Sequence, residues 1–356
     1  MSIVKGLMTL LCLALLTLQG CQQEEQKQIF NWRLQSHAVE QANDFIELKK
    51  FTENVRIMSS GRLNITLYSG GKDALVIGPN IFSAVSEGTI EMGNGWPNWW
   101  SGQHPAWAVM NAGPFDFMNL DASMLFFLGA EGTQLANDLS KPAGVLWRPA
   151  WWPGMEFGLL SRTPIHSLSD LKGKKVRIGP GLPSEVLAAA SGAYAIPTVP
   201  SEIRPALLSG ALDAVEWTTT SGAWDLGLQD ISRYAIVPAI WQPSVLSDFL
   251  INDKAYTALP EDLKLILETA IKAYTLTTTI SSKMKDFEAL DKFKAEGITL
   301  NTWSDEDLAK WKLASDEVYK KYKEENEFSR DFIERKQLFK AKYQNYYLLF
   351  GPYDEQ

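Results

Sequence analysis

The stretch PSEIRPALLSGALDAVEW, residues Pro200–Trp217, places a helix directly before a strand. SEIRPALLSG predicts the helix, with Ser201 positioned to cap its N-terminus and Gly210 just past its end. LDAVEW follows as a short, mostly apolar strand. Outward from this unit, strands alternate with helices in two series, one from Phe30 and one from about Gly158. This alternation predicts an α/β fold, and the two series predict two lobes with a cleft between them.

Composition narrows the functional class. The 356 residues are 46% hydrophobic and 21% charged, which is typical of a globular protein with room for two cores. The net charge of −8, without a Lys/Arg-rich cluster, argues against a nucleic-acid partner. The three histidines are not spaced as metal ligands, and no G-x-S-x-G, P-loop or H-E-x-x-H motif occurs. We therefore do not expect an enzyme.

The N-terminus predicts export. Within residues 1–20, Lys5 precedes an apolar run that is too short to span a membrane and suits a signal peptide. The run ends in LQGC, Leu18–Cys21, which resembles the lipobox of bacterial lipoproteins. The only other cysteine, Cys12, lies inside the signal, so a disulfide is not expected. We predict a periplasmic lipoprotein anchored to the membrane through a lipid on Cys21; an ordinary signal peptide is the alternative.

Two strand ends carry charged residues that suit a binding site. Glu216 and Trp217 end a strand, where open α/β sheets place ligands. Alternation puts Glu216 on the face of Ala214, where a carboxylate needs a charge partner or a cation. Arg177 ends another strand, and its planar guanidinium could bind a carboxylate. The pattern alone equally allows a rim-exposed glutamate beside a core tryptophan, and a surface arginine.

Two further polar residues and the tryptophans are candidates. Glu156 lies between tryptophans and an apolar strand, which suggests a cation or proton-linked role, or else an exposed acid at a strand end. Gln242, in IWQPS, could donate to or accept from a ligand. Seven of the 13 tryptophans fall between Trp96 and Trp152, where they would line an apolar cleft or fill the core.

Several motifs together resemble a known family. FNWRLQS, IFSAVSEGTIEMGNG, PFDFM, LSDLKGKKVRI, PSEIRPALLSGALDAVEW and INDKAYTALPEDLKLILETA occur in the order and spacing of DctP-family solute-binding proteins of TRAP (tripartite ATP-independent periplasmic) transporters. The chain is most similar to the branch that binds 2-oxo or 2-hydroxy monocarboxylates with a cation. The resemblance implies a two-lobed, type II-like periplasmic-binding-protein fold that closes on its ligand. It also implies a long bracing helix over about 261–296 and further C-terminal helices.

The resemblance also implies roles for the candidate residues. Arg177 would bind the substrate carboxylate. Glu216 would hold the cation, Na⁺ or Ca²⁺, through its side chain and Trp217 through its backbone carbonyl, because these ions prefer oxygen ligands. Glu156 and Gln242 would complete the cation site, and together with Trp217 they would contact the substrate.

The chain departs from that branch at two places. Where Glu156 stands the branch has glutamine, and where Gln242 stands it often has glutamate, so the formal charge around the cation is conserved. In WPNWWSG the branch tends to have tyrosines. We therefore expect Asn98 and Trp99 to reshape the pocket around the tail of the substrate.

The expected organisation is a signal peptide (1–20), a tether (21–28), a first lobe (29–153 with 250–285), a second lobe (154–249) and a helical C-terminal region (286–356). The aromatic last helix fits either contact with a second copy, as in the resembling branch, or packing on its own lobe. The predicted function is delivery of a small carboxylate to TRAP integral membrane subunits. The alternatives are a ligand-binding module of a signalling receptor and a lipid-anchored hydrolase that uses Glu156 and Glu216.

Overall fold

A computed structural model describes residues 28–71, 74–198 and 200–351. The predicted signal peptide, the lipidation site Cys21 and nearly all of the predicted tether lie outside these residues. Within them, no helix combines the length and the apolar character that crossing a membrane requires.

Eleven strands occur in the described residues. They are β1 (Phe30–Ser36), β2 (Leu63–Tyr68), β3 (Met92–Gly95), β4 (Val145–Gly154), β5 (Leu159–Ser161), β6 (Lys175–Arg177), β7 (Tyr194–Ala195), β8 (Ala214–Glu216), β9 (Tyr234–Val237), β10 (Val245–Asn252) and β11 (Thr299–Thr302). They form a five-stranded sheet of order β2-β1-β3-β10-β4 and a six-stranded sheet of order β11-β9-β5-β8-β6-β7. Each sheet is the centre of one lobe, which confirms the predicted two-lobed α/β fold.

The α-helices cover these sheets. They are α1 (Asn43–Met58), α2 (Ile81–Ser86), α3 (Ala106–Met110), α4 (Leu120–Met124), α5 (Gly132–Ser140), α6 (Leu182–Ser191), α7 (Pro200–Ser209), α8 (Thr220–Asp225), α9 (Asp253–Thr257), α10 (Glu261–Ala295), α11 (Asp305–Glu325) and α12 (Glu327–Phe350). A 3₁₀ helix over Pro97–Gly102 follows β3. Parallel pairing of β1 with β2 and β3 makes this part of the first sheet a β-α-β arrangement, as the alternation predicts.

Two of the segments in which the chain passes from one lobe to the other border the cleft. The chain leaves the first sheet at Gly154, the end of β4, and enters the second at Leu159, the start of β5. It returns between Val237, the end of β9, and Val245, the start of β10, which pairs antiparallel with both β3 and β4. The two crossing segments lie close enough for a backbone hydrogen bond, so they form a common floor under the cleft.

The long helix α10 contacts both lobes, as expected for a brace. The Thr279 hydroxyl accepts a hydrogen bond from the Trp152 N–H on β4 at 3.0 Å. Two turns further on, the Asp286 carboxylate accepts a hydrogen bond from the Ser221 N–H in α8 at 2.9 Å. Lys283 connects these two contacts of α10, since its Nζ lies 3.1 Å from the Asp286 carboxylate and 3.2 Å from the Pro153 carbonyl on β4.

Two details differ from the expected organisation. The region 286–356, expected to be helical, also contains β11, which pairs parallel with β9 at the edge of the second sheet. A four-residue edge strand carries too few apolar positions to stand out from the sequence. The expected lobe boundary at residue 250 falls inside β10. All eight residues of that strand are buried in the first sheet, so its whole length belongs to that sheet.

Candidate functional site

A cavity of about 620 Å³ lies between the lobes, within the size range of small-molecule sites. Seven residues singled out from the sequence line it: Asn98, Trp99, Glu156, Arg177, Glu216, Trp217 and Gln242. They come from β6, β8, the 3₁₀ helix and both crossing segments, so only the folded chain brings them together.

Glu216 is buried, with only 2% of its surface exposed, and it is held by three donors. Arg177 Nη1 lies 2.8 Å from Glu216 Oε2, the Gly179 N–H donates to the same oxygen at 2.9 Å, and the Thr218 N–H donates to Oε1 at 3.2 Å. The register explains the pair, because β6 and β8 run parallel with Arg177 opposite Val215, one residue before Glu216. The rim-exposed alternative for Glu216 is therefore wrong.

Arg177 faces the cavity rather than solvent, since its side chain is 12% exposed. Its Nη1 also donates to the Glu216 carbonyl at 2.8 Å, and its guanidinium carbon lies 4.7 Å from the centre of the Trp217 ring. This cation–π contact holds the guanidinium in place. Its Nε, by contrast, is buried and has no hydrogen-bond partner. The sequence did not predict the Arg177–Glu216 ion pair.

Glu156 is a second buried carboxyl group beside Glu216. Burial raises its pKa well above the usual range, and the Glu216 carboxylate, which shares a hydrogen bond with it, raises the pKa further, while the charge of Arg177 opposes both effects. Glu156 Oε2 has no hydrogen-bond partner. The exposed alternative for this residue is wrong, because the first crossing segment turns Glu156 into the cleft.

Gln242 approaches Glu156 from the other crossing segment. The Glu156 N–H donates to the Gln242 carbonyl at 3.3 Å. The side-chain oxygen of Gln242, Oε1, is buried and has no donor. A Cβ atom added at Gly179 would lie 3.4 Å from that oxygen, so the glycine lets the loop after β6 pass close to the site.

These oxygens fit a hard cation. Na⁺ and Ca²⁺ take oxygen ligands, and here two buried acceptors, Glu156 Oε2 and Gln242 Oε1, lack donors next to the Glu216 carboxylate. Two carboxyl groups face one arginine, so a bound cation could balance the second negative charge. Among the described residues there is no cluster of three or more His, Cys, Asp or Glu side chains that could hold a metal. The oxygens available to a cation here come instead from two carboxyl groups and one side-chain amide.

Asn98 connects the two lobes. Its Nδ2 donates at 3.2 Å to the carbonyl of Pro180, which follows β6 in the second lobe. Its Oδ1 accepts from Asn111 Nδ2, also at 3.2 Å. Trp99, the next residue of the 3₁₀ helix, lines the cavity and packs its ring on Gly78.

Sequence reasoning missed part of the cavity wall. His37 and Asp44 line the cavity beside Trp96 and Trp151, two of the tryptophans predicted for an apolar cleft or the core. Trp96 Nε1 donates to His37 Nδ1 at 3.2 Å, because the parallel pairing of β1 with β3 brings the ends of these strands together. The density of tryptophans did indicate an aromatic wall, but no signal in the sequence connects His37 to it.

A large cavity between two α/β lobes, with polar groups from both crossing segments, defines a two-lobed ligand-binding protein. Comparison with known sequences gives the family. The chain belongs to the DctP family, bacterial extracellular solute-binding protein family 7, whose model matches residues 35–326. The predicted family resemblance is thus confirmed.

Similar proteins carry informative descriptions. A monocarboxylate 2-oxoacid-binding periplasmic protein of Nostoc sp. is 30% identical over 276 residues, which cover 77% of this chain and 74% of the relative. A TRAP solute-binding protein of Bordetella bronchiseptica, described as a mixed-occupancy dimer with calcium and picolinate, has a TM-score of 0.85 at 23% identity and covers 90% of this chain and 95% of its own. A Pseudoalteromonas atlantica protein with bound sodium and pyruvate has a TM-score of 0.84 at 24% identity, covering 90% and 96%. At such identities the structural likeness shows the shared fold.

Proposed function

We propose that this protein is the extracytoplasmic solute-binding subunit of a TRAP transporter. It captures a 2-oxo or 2-hydroxy monocarboxylic acid through Arg177 and a bound Na⁺ or Ca²⁺, and it delivers the acid to integral membrane subunits. The observation that carries this proposal is the pair of buried, donor-free oxygens on Glu156 and Gln242, next to the Arg177–Glu216 ion pair. The Nostoc relative supports the ligand class.

The cation would be held by the side chains of Glu156, Glu216 and Gln242 and by the Trp217 carbonyl. When bound, it supplies a positive charge to which a carboxylate oxygen and the adjacent keto or hydroxyl oxygen of the ligand can bind together. Cation binding requires both carboxyl groups to be deprotonated, so Glu156 would give up the proton that its raised pKa retains.

Arg177 would bind the other edge of the ligand carboxylate. Arg177 contacts the Glu216 carboxylate through Nη1, and its buried Nε–H has no acceptor. A ligand carboxylate is a suitable acceptor, because its geometry matches the guanidinium edge. Trp217 keeps the guanidinium in place by stacking on it.

Ligand binding would favour the closed arrangement of the lobes. Arg177 and Glu216 belong to the second sheet, Asn98 follows β3 of the first, and Glu156 and Gln242 lie on the crossing segments. A ligand that contacts all of them gains most when the cleft is closed, and the Asn98–Pro180 hydrogen bond adds to that state.

The remaining parts of the proposal concern location and assembly. We place the protein in the periplasm, tethered by a lipid on Cys21, on the basis of the LQGC motif. The end of α12 exposes Tyr346, Leu348 and Phe350, which supports contact with a second copy, and the Bordetella relative is described as a dimer. We propose no enzymatic role, because the family to which the chain belongs is a family of solute-binding proteins.

Substitution of Arg177 tests the proposal. In calorimetric titrations of the refolded, ligand-free protein with 2-oxo acids and Ca²⁺, Arg177→Lys should weaken binding at least tenfold. The lysine keeps the charge but loses the planar donor edge. Exposed Arg233→Lys is the matched control and should bind like the wild type. Equal affinity of Arg177→Lys and wild type would remove Arg177 from the ligand site.

A further inference from the structure

The cavity extends well beyond the charged site. We call Trp96, Trp99, Trp151 and His37 the tail wall; all four line the cavity on the side of the first lobe. The volume of about 620 Å³ suits a ligand much larger than pyruvate, which has only a methyl group beyond its keto carbon.

The rings of the tail wall are fixed by contacts with one another. The centres of the Trp96 and Trp151 rings are 6.2 Å apart, and those of His37 and Trp99 are 5.9 Å apart in an edge-on arrangement. Aromatic pairs at such separations are mutually attractive. The wall is therefore a preformed apolar surface rather than a set of mobile side chains.

His37 positions this wall. Its Nδ1 accepts the hydrogen bond from Trp96, which requires the ring proton to sit on Nε2. Nε2 lies 3.2 Å from Asp44 Oδ2, close enough for electrostatic attraction although the two are not aligned as a hydrogen bond. Trp96 is thus held through His37 by a buried carboxylate at the start of α1.

Gly78 makes room for Trp99. A Cβ atom at Gly78 would lie 2.5 Å from Trp99 Cζ3, closer than the two atoms can approach. Gly78 does not line the cavity and its φ is not in the left-handed region. An alanine there would therefore displace the Trp99 ring without touching a ligand directly.

Charge in the cavity disfavours a second anionic group. Among the described residues that line it, Arg177 is the one lysine or arginine. The cavity is also lined by the acids Asp44, which is buried, and Asp225, which is exposed. A second carboxylate on the ligand would find no positive partner and would face like charge.

We propose, on the basis of the proposed function, that the tail wall selects a 2-oxo monocarboxylic acid with a bulky apolar tail, branched or aromatic, over pyruvate and over dicarboxylic acids. Each methylene buried against the wall should tighten binding about fourfold. The wall determines which acid of the class is bound, whereas Arg177 and the cation determine the class.

Calorimetric titration of the refolded protein at one fixed Ca²⁺ concentration tests this selection. The ligands are pyruvate, 4-methyl-2-oxopentanoate, phenylpyruvate and 2-oxoglutarate. We expect at least one of the two bulky acids to bind at least tenfold more tightly than pyruvate. We expect 2-oxoglutarate to bind more weakly than either bulky acid. If pyruvate binds as tightly as the bulky acids, this inference is wrong and the proposed function stands. If folded protein binds none of the acids, the proposed function fails as well.

Variants of the wall separate selection from general damage to the site. Gly78→Ala should weaken the bulky acid at least fivefold and change pyruvate affinity less than twofold. Trp99→Ala should weaken the bulky acid at least fivefold more than it weakens pyruvate. Tyr194→Ala, an exposed aromatic in the edge strand β7, is the control and should change neither. His37→Ala should reduce the ratio of bulky-acid to pyruvate affinity, and His37→Asn, which retains an acceptor for Trp96, should restore it. If these variants lose the same factor of affinity for the bulky acid and for pyruvate, the tail wall does not select between the two acids and the proposal is wrong.

Discussion

Replacing the two buried glutamates by glutamine, one at a time, should have opposite effects on the ligand-free protein. Glu216 has a charge partner at 2.8 Å, so Glu216→Gln leaves the guanidinium of Arg177 buried without its ion pair. Glu156 has an oxygen without a donor and a pKa well above the usual range because of burial and the nearby Glu216. Glutamine at position 156 removes the cost of ionising that group, and its amide can still donate to Glu216.

The expected magnitudes follow from burial. Removing one partner of a buried ion pair costs about 3–5 kcal/mol, and Glu216→Gln should lose about 3 kcal/mol because the carboxyl group of Glu156 can pair with Arg177 instead. The pKa of Glu156 is higher in the folded state than in the unfolded state. The wild type therefore loses stability as the pH rises from the unfolded-state pKa to the folded-state pKa. Glu156→Gln should therefore match the wild type at about pH 4, where the Glu156 carboxyl group is protonated in both states, and be more stable than the wild type at pH 8.

Urea unfolding at pH 8, first without Na⁺ or Ca²⁺ and then with a saturating concentration, provides the assay. A cation at 100 times its Kd should stabilise the wild type by about 2.7 kcal/mol. Both glutamine variants should lose most of that gain. Glu156→Gln combined with Gln242→Glu returns a carboxylate to the site and should recover it, while exposed Glu40→Gln should match the wild type. Equal destabilisation by Glu156→Gln and Glu216→Gln in cation-free buffer would refute the reasoning.

Three further predictions concern other parts of the molecule. Burial raises the pKa of Asp248 to about 7, although the N–H groups of Trp100 and Trp147 donate to its carboxylate. Between pH 5 and pH 8 the wild type should therefore lose about 3 kcal/mol of unfolding free energy relative to Asp248→Asn. The same pH dependence for both proteins in urea unfolding would contradict this prediction. Asn98→Ala removes the bond between the lobes and should weaken ligand binding about fivefold in calorimetry, whereas unchanged affinity would exclude that bond from the closed state. Leu348→Glu should convert a dimer to a monomer in sedimentation velocity, and the same mass for both proteins would place the dimer contact elsewhere.

The sequence was sufficient for the elements with strong patterns. The alternation of strands and helices predicted two α/β lobes, and the 35-residue helix α10 begins at Glu261 as predicted and ends at Ala295, close to the predicted end. The four-residue strand β11 was not predicted because it pairs with β9, far away in sequence, and its own pattern is too short to be distinguished from a loop.

In the site, too, residue types could be read from the sequence, whereas contacts that depend on strand pairing could not. Residue types and strand ends correctly selected Arg177 and Glu216 as cavity residues, but their ion pair depends on β6 lying next to β8, which is a matter of strand order. The contact of His37 with Trp96 likewise depends on the pairing of β1 with β3. Strand order in a sheet is set by the packing of the whole lobe, so neither contact is visible in a local stretch of sequence.

The central claim is that a cation and a 2-oxo acid occupy one site together, and a linked titration tests it most directly. The refolded, ligand-free protein would be titrated with the tightest-binding acid at a series of Ca²⁺ concentrations, and the series repeated with Na⁺. Our account predicts that affinity for the acid rises with one of these cations and that the acid tightens binding of that cation by the same factor. Tight binding of the acid that is independent of both cations would contradict it.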